Sequence, residues 1–176
     1  MHAGFARGEG SCFFIMGVEI ERKFLVRGQD WRAGVLDSRK LRQGYLAMDG
    51  GTSVRVRADG SNATVTIKGA ANGLVRPEFD YDIPAADAED LFRLCRGRLV
   101  EKMRHRTEVD GRIWEVDEFF GANAGLILAE IEMSDPEEKI TLPDWLGAEV
   151  SHDPRYLNAN LSIQPFNSWG KGNTGI

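Results

Sequence analysis

Apolar and polar residues alternate one for one through most of the chain. Val18–Val26 alternates, and so do Lys40–Met48, Thr52–Ala58, Ala63–Lys68, Arg76–Ile83, Val100–Val109, Arg112–Phe119 and Leu126–Met133. A period of two is that of a β-strand with one buried face. Turn residues separate the runs, at Asp49-Gly50-Gly51, Asp59-Gly60, Asn72-Gly73 and Asp110-Gly111,. Asp110-Gly111 stands between two alternating runs and predicts a tight hairpin. Helical spacing is scarcer. Pro84–Arg96 opens on Pro, carries Leu91, Phe92 and Cys95 on one face and ends at Gly97, which predicts one full helix,. Shorter helices are expected over Asp30–Leu36, Pro143–Leu146 and Asp153–Leu161. The pattern predicts a mainly β (α+β) fold, an eight-stranded antiparallel barrel or strongly curved sheet with a few flanking helices.

The same alternation sorts the charges. Side chains two residues apart on a strand share a face. Glu19, Glu21 and Lys23 therefore lie together, as do Arg55 with Arg57, and Lys68 with Thr66 and Thr64. So do Glu78, Asp80 and Asp82; Lys102, Arg104 and Arg106; Glu115 and Asp117; Glu130 and Glu132. An antiparallel sheet with one wet face would place polar groups this way. A wet face, however, mixes charges with neutral polar residues, whereas Arg and Glu dominate here on strand after strand. Arg-x-Arg and Glu-x-Glu also set like charges side by side, which costs energy without opposite-charge partners.

A closed barrel with its charged face inward supplies those partners. Its lumen would hold a cationic set, Arg55, Arg57, Lys68, Lys102, Arg104 and Arg106, and an anionic set, Glu19, Glu21, Glu78, Asp80, Asp117, Glu130 and Glu132. Arginine forks and lysine point charges suit phosphate oxygens. Carboxylates without His or Cys nearby form a hard oxygen site, for which Mg²⁺ or Mn²⁺ is the expected ion. Cations for a polyphosphate beside carboxylates for its metal are the groups that metal-assisted phosphoryl chemistry needs.

Composition narrows the alternatives. At 176 residues the chain fits one domain with a core of useful size,. We expect an N-terminal extension outside the fold over residues 1–16, a tunnel domain over 17–166 and a flexible tail over 167–176,. A net charge of −5 lacks the basic excess of a general nucleic-acid binder,. Trp31, Trp114, Trp145 and Trp169 are expected to pack rather than stack on bases, and no nucleic-acid partner is expected. Cys12 and Cys95 are far apart and fit two reduced thiols, and the scattered His2, His105 and His152 make no zinc spacing,. His105 lies between two inward positions and should point out of the lumen. No apolar run reaches the roughly 20 residues of a membrane span, and no cleavage pattern follows the apolar stretch at 12–16,. A cytoplasmic protein without a membrane partner is the expectation.

Taken in order, these motifs resemble the CYTH superfamily, the triphosphate tunnel metalloenzymes. Glu19-Ile20-Glu21-Arg22-Lys23-Phe24 resembles the family's N-terminal Glu-x-Glu-x-Lys signature. The likeness continues through Arg55-Val56-Arg57, Thr66-Ile67-Lys68-Gly69, Glu78-Phe79-Asp80-Tyr81, Glu101-Lys102-Met103-Arg104, Trp114-Glu115-Val116-Asp117 and Ala129-Glu130-Ile131-Glu132. It implies an eight-stranded tunnel and, among the short bacterial members, hydrolysis of inorganic triphosphate to pyrophosphate and phosphate. Lys23, Arg55, Arg57, Lys68, Lys102 and Arg104 would hold the triphosphate, with Arg106 and the C-terminal Arg155 joining them. Glu19, Glu21, Glu130 and Glu132 would serve the metal, Glu130 and Glu132 foremost; Glu78, Asp80 and Asp117 would be further lumen acids. Tyr45 resembles a tyrosine paired with a lysine, here Lys68, near the leaving phosphate. Tyr45, Lys68 and Glu21 are the catalytic candidates, although spacing does not single out which carboxylate is the base. The family also contains class IV-type adenylate cyclases and organic triphosphatases, and a non-catalytic polyphosphate-binding module is a further alternative. The resemblance is compatible with a homodimer.

Overall fold

Strands dominate, where the alternation places them. A computed structural model describes residues 17–170, so the expectations for residues 1–16 and for 171–176 lie outside the described residues. The strands are β1 (Val18–Val26), β2 (Val35–Asp49), β3 (Thr52–Ala58), β4 (Ala63–Lys68), β5 (Val75–Ile83), β6 (Leu99–Val109), β7 (Arg112–Phe119), β8 (Ile127–Glu132) and β9 (Leu146–Glu149). Helix α1 (Ala85–Leu94) follows β5, and a single-turn helix α2 (Asn158–Leu161) lies near the C-terminus. Strands β5, β4, β3, β2, β6, β7, β8 and β1 are hydrogen-bonded in that order, and β1 returns to pair with β5. Eight antiparallel strands thus close into a barrel, with β9 added alongside the far end of β1. The hairpin expected at Asp110-Gly111 forms with both residues at positive φ, 51° and 73°, the backbone a two-residue turn of this kind requires.

Register turns the charged face inward. Directly opposed residues share a face. Lys23 opposes Glu130, Glu130 opposes Glu115, and Glu115 opposes Arg106. Around the other side, Arg55 opposes Tyr45 and Thr66, Lys68 opposes Ser53 and Glu78, and Glu19 opposes Arg76. One set of polar side chains therefore runs round the whole ring.

Apolar residues cover the outside. Phe24, Trp114, Val116, Ala129 and Ile131 face outward from β1, β7 and β8 and pack with Trp31, Trp145 and Leu146. On the opposite wall α1 lays Ala88 and Phe92 against Val56 and Ala63. Inward positions become apolar only towards one end, at Leu25, Val100, Phe119 and Leu128, where Tyr156, Leu161, Phe166 and Trp169 of the C-terminal segment pack with them.

Three local expectations need correction. Strand β2 begins at Val35 rather than Lys40, because its first half pairs with β6 from Val35 opposite Thr107 onward. The turn before it is a 3-10 helix over Asp30–Gly34 only. The stretch expected as a helix over Pro143–Leu146 instead leads into β9, whose Gly147 lets it lie against β1; a Cβ there would meet Leu25 at 3.2 Å.

The barrel wall should depend strongly on its outer packing. Trp114 is fully buried, edge-on to Phe24 at 5.8 Å and to Trp145 at 5.7 Å. Trp114→Ala is expected to cost about 3–5 kcal/mol in urea denaturation; a loss below about 1 kcal/mol would show that this cluster does not hold the wall.

Candidate active site

Inside the barrel lies a cavity of about 350 Å³. Inward side chains of β1 to β5 bound it, together with the β2–β3 turn from Asp49 to Thr52 and the stretch Leu157–Asn160. A bulge at Leu46, where the β2–β3 register shifts between Tyr45 and Ala47, brings Met48 opposite Ser53 and onto the cavity wall. Strict alternation could not place Met48 there.

Opposite charges meet in chains across the lumen. Lys23 donates to Glu130 and, at 3.3 Å, to Glu21. Arg104 donates through Nε and Nη2 to the two oxygens of Asp117 at 2.7 Å each, through Nη2 also to Glu130 at 2.7 Å, and through Nη1 to Glu115. Lys102 donates to Asp117 at 2.5 Å and, at 3.5 Å, to Asn158 of α2. Lys68 holds both oxygens of Glu19 at 2.6 and 2.7 Å and reaches Glu78 at 3.2 Å. Burial alone would raise the Glu130 carboxyl, but Lys23, Lys102 and Arg104 hold it well below the usual carboxylate range. Burial and the neighbouring Arg104 push Lys102 down to about 8 against the pull of Asp117.

Several cations are left short of partners. Arg57 makes no ion pair among the described residues; burial, Arg55 and Arg104 together lower its pKa. Arg55 donates to Thr66 at 2.9 Å and lies 3.7 Å from Glu78, yet its buried Nε has no acceptor. Arg76, inward on β5, has a buried Nε in the same condition. Buried N–H groups without acceptors are uncommon in folded proteins, and the two guanidinium groups in this state on one cavity, Arg55 and Arg76, form a receptor for anionic oxygens. Tyr45 is also buried here; burial pushes its hydroxyl up to about 12, so it stays protonated. That hydroxyl accepts from Gln43 at 3.1 Å, leaving its own proton to donate.

Carboxylates crowd in the same lumen. Partial burial and the nearby Glu19, Glu115, Glu78 and Glu21 push Glu132 up to about 7. Glu21 is also raised, by burial first and then by Glu19 and Glu130, against the pull of Lys23. A dication would relieve this like-charge crowding. Among the described residues no three His, Cys, Asp or Glu side chains already form a metal cage. Magnesium, however, is commonly held by one or two carboxylates together with substrate phosphates, and an all-carboxylate donor set fits that pattern. Glu132 and Glu21 are the residues placed to take part, and Glu19, both of whose oxygens Lys68 holds, would join them by exchange out of that pair. Glu130 has both oxygens engaged by Lys23 and Arg104, so ligation by it would require exchange out of one pair.

Most residues expected at the site do converge on the lumen. Arg106 lies at its rim, paired with Asp37 at 3.0 Å, and Asp80 is exposed while accepting from Thr66 at 2.5 Å. Tyr45 and Lys68 line one cavity, but the Tyr45 hydroxyl meets Gln43 while Lys68 is held by Glu19 and Glu78. Arg155 pairs with Asp153 and lies over Trp169 at 5.3 Å, outside the cavity lining, to which the C-terminal stretch contributes Leu157–Asn160. His105 faces outward as expected, between Ser38 at 2.7 Å and Glu118 at 2.9 Å, with Trp31 beside it. Arg76 and Glu115 stand outside the cationic and anionic sets given above, although Glu115 shares a face with Asp117. Both share a strand parity with residues that were included, so the same face rule carried one step further finds them.

The CYTH domain family matches residues 17–160. The chain is 43% identical over 158 residues to the inorganic triphosphatase of Acetivibrio thermocellus, covering 88% of this chain and 99% of that protein. It is 37% identical over 149 residues to the inorganic triphosphatase of Nitrosomonas europaea, covering 82% and 97%. The crystal structure of the inorganic triphosphatase NE1496 superposes with a TM-score of 0.63 at 35% identity, over 82% of this chain and 94% of that one.

The carboxylate crowding sets a pH dependence. With Glu132 near 7 folded and 4.5 as its ordinary value, the folded chain between these limits keeps a proton that the unfolded chain has released. Stability from this group therefore falls as pH rises across that window. Glu132→Gln should remove that slope and raise stability at about pH 8 by less than about 1 kcal/mol, since the side chain is exposed and screened. Urea denaturation in metal-free buffer at about pH 5 and about pH 8 checks this; an equal effect at both would contradict it.

Proposed function

Because the chain belongs to the CYTH domain family, we propose that it hydrolyses inorganic triphosphate, adding water across one phosphoanhydride to give pyrophosphate and phosphate. The observation that carries this reading is the pairing, in one lumen, of under-partnered guanidinium groups with a crowd of carboxylates. A polyanion satisfies the first group and its divalent cation the second. A binder of polyanions alone would gain nothing from the acids.

In this reading Lys23, Arg55, Arg57, Lys68, Lys102 and Arg104 bind and orient the phosphates. Their fixed positive charge opposes the charge that grows on the phosphoryl oxygens in the transition state. Mg²⁺ or Mn²⁺ held by Glu132, Glu21 and Glu19 would supply Lewis-acid neutralisation of phosphate charge. Glu130 and Asp117 position Lys23, Lys102 and Arg104 through the ion pairs described. Glu21 lines the cavity and has a raised pKa, which suits it to accept a proton from the attacking water,. Lys68 and the protonated Tyr45 line the same cavity, from which they can stabilise the leaving pyrophosphate. The substrate is a small molecule, and a free thiol at Cys95 accords with action in the cytoplasm,.

The test is phosphate release from inorganic triphosphate, ATP and thiamine triphosphate with Mg²⁺, Mn²⁺ or EDTA. Release from inorganic triphosphate should be fastest and should stop with EDTA. Arg57→Ala should lower kcat/KM about 10- to 100-fold, the worth of a hydrogen bond to a charged group, and Glu132→Gln should lose most activity with the fold intact. No release from inorganic triphosphate, or release indifferent to EDTA, would overturn the reading.

A further inference from the structure

The lumen contains one cation to which the roles above give no task. Arg76 lies near the start of β5, opposite Glu19, with its side chain 17% exposed. Among the described residues its one hydrogen bond is from Nη2 to the Gly69 carbonyl, at 3.1 Å. Its Nε is buried without an acceptor, and the nearest carboxylate oxygen, on Glu19, is 3.9 Å away, beyond hydrogen-bonding reach. The guanidinium lines the cavity with Lys68, Arg55 and Tyr45.

Its mounting is rigid. Gly69 N–H donates to the Pro77 carbonyl at 2.9 Å, and a Cβ at Gly69 would lie 3.1 Å from the Pro77 ring. The backbone on both sides of the Arg76–Gly69 contact is thus tied together, and Nη2 is anchored to it. A pre-oriented fork with a free N–H is a recognition element for a phosphate oxygen.

The number of cations at this place indicates which phosphate. A terminal, unesterified phosphate presents three free oxygens and up to two negative charges, whereas an esterified one presents two oxygens and a single charge. Lys68, Arg55 and Arg76 line the same cavity, with the Tyr45 hydroxyl as a fourth donor, a set that suits the terminal group. An alkyl ester at the same place would set carbon against the buried Nε of Arg76 and leave it unsatisfied, a loss that discriminates strongly between ligands.

We propose that Arg76 is a specificity-determining residue that reads the free end of the leaving pyrophosphate, so that the site favours a triphosphate unesterified at both ends over a nucleoside triphosphate. The proposal rests on the triphosphate reading above.

Binding calorimetry in EDTA, with inorganic triphosphate and ATP as titrants, tests it on the wild-type chain, Arg76→Gln and Arg76→Lys. The wild type should bind triphosphate at least about tenfold more tightly than ATP, and Arg76→Gln should weaken triphosphate about 10- to 30-fold while changing ATP about threefold or less. Arg76→Lys, which keeps the charge without the fork, should fall between, and decides the matter if the Gln variant does not fold. Equal weakening of both ligands, or no change in either, would overturn the proposal. Hydrolysis by the wild type is measured in parallel. Turnover with an unmoved binding ratio defeats only the role of Arg76, and a collapsed ratio without turnover defeats only the hydrolase reading.

Discussion

Like charges held a few ångströms apart on the inner wall of a closed barrel are the constraint on which this structure depends. Antiparallel pairing and a period of two make the constraint unavoidable once the charged face is turned inward, because β1, β3, β6, β7 and β8 each deliver a like-charged pair to the same enclosed space,. Part of the tension is discharged internally. Arg104 gathers Asp117, Glu115 and Glu130, and Lys68 gathers Glu19 and Glu78. Part remains: Arg57 beside Arg55, and Glu132 among four other carboxylates. Those residual charges are of both signs and lie in the same lumen. They call for a polyanion and a dication together, rather than for either alone.

The rest of the fold makes such a lumen affordable. Burying paired charges yields little net stability, so the wall is held from outside, by Phe24, Trp114 and Trp145 on one side and by α1 on Val56 and Ala63 on the other. The C-terminal segment packs Tyr156 and Leu161 onto the apolar end of the lumen and brings Asn158 within 3.5 Å of Lys102. Packing, closure and site geometry are therefore coupled through the same strands, each of which contributes one face to the core and one to the cavity.

Much of this was legible in the sequence because strand parity does two jobs at once. It marks the strand, and it says which residues share a side; β1, β3, β4 and β7 have the bounds their alternation predicts. Parity fails where the backbone departs from it. The bulge at Leu46 turns Met48 inward, and β9 is too short and too rich in small residues to alternate visibly. Parity is also silent about partners. It places Glu130 and Glu132 on one face alike, and only the structure separates a Glu130 clamped between Lys23 and Arg104 from an exposed Glu132 crowded by acids. Likewise parity does not reach the C-terminal stretch, where Arg155 pairs with Asp153 and Leu157–Asn160 line the cavity.

The unmatched positive and negative charges of the lumen require their two ligands jointly. Thermal unfolding is measured with Mg²⁺ alone, pyrophosphate alone and both together, since a ligand that binds only the folded chain raises the melting temperature, by an amount that grows with the logarithm of its concentration over Kd. The shift with both present is expected to exceed the sum of the separate shifts, the sign of positive coupling between the two sites. Shifts that merely add, or no shift with either ligand, would contradict it.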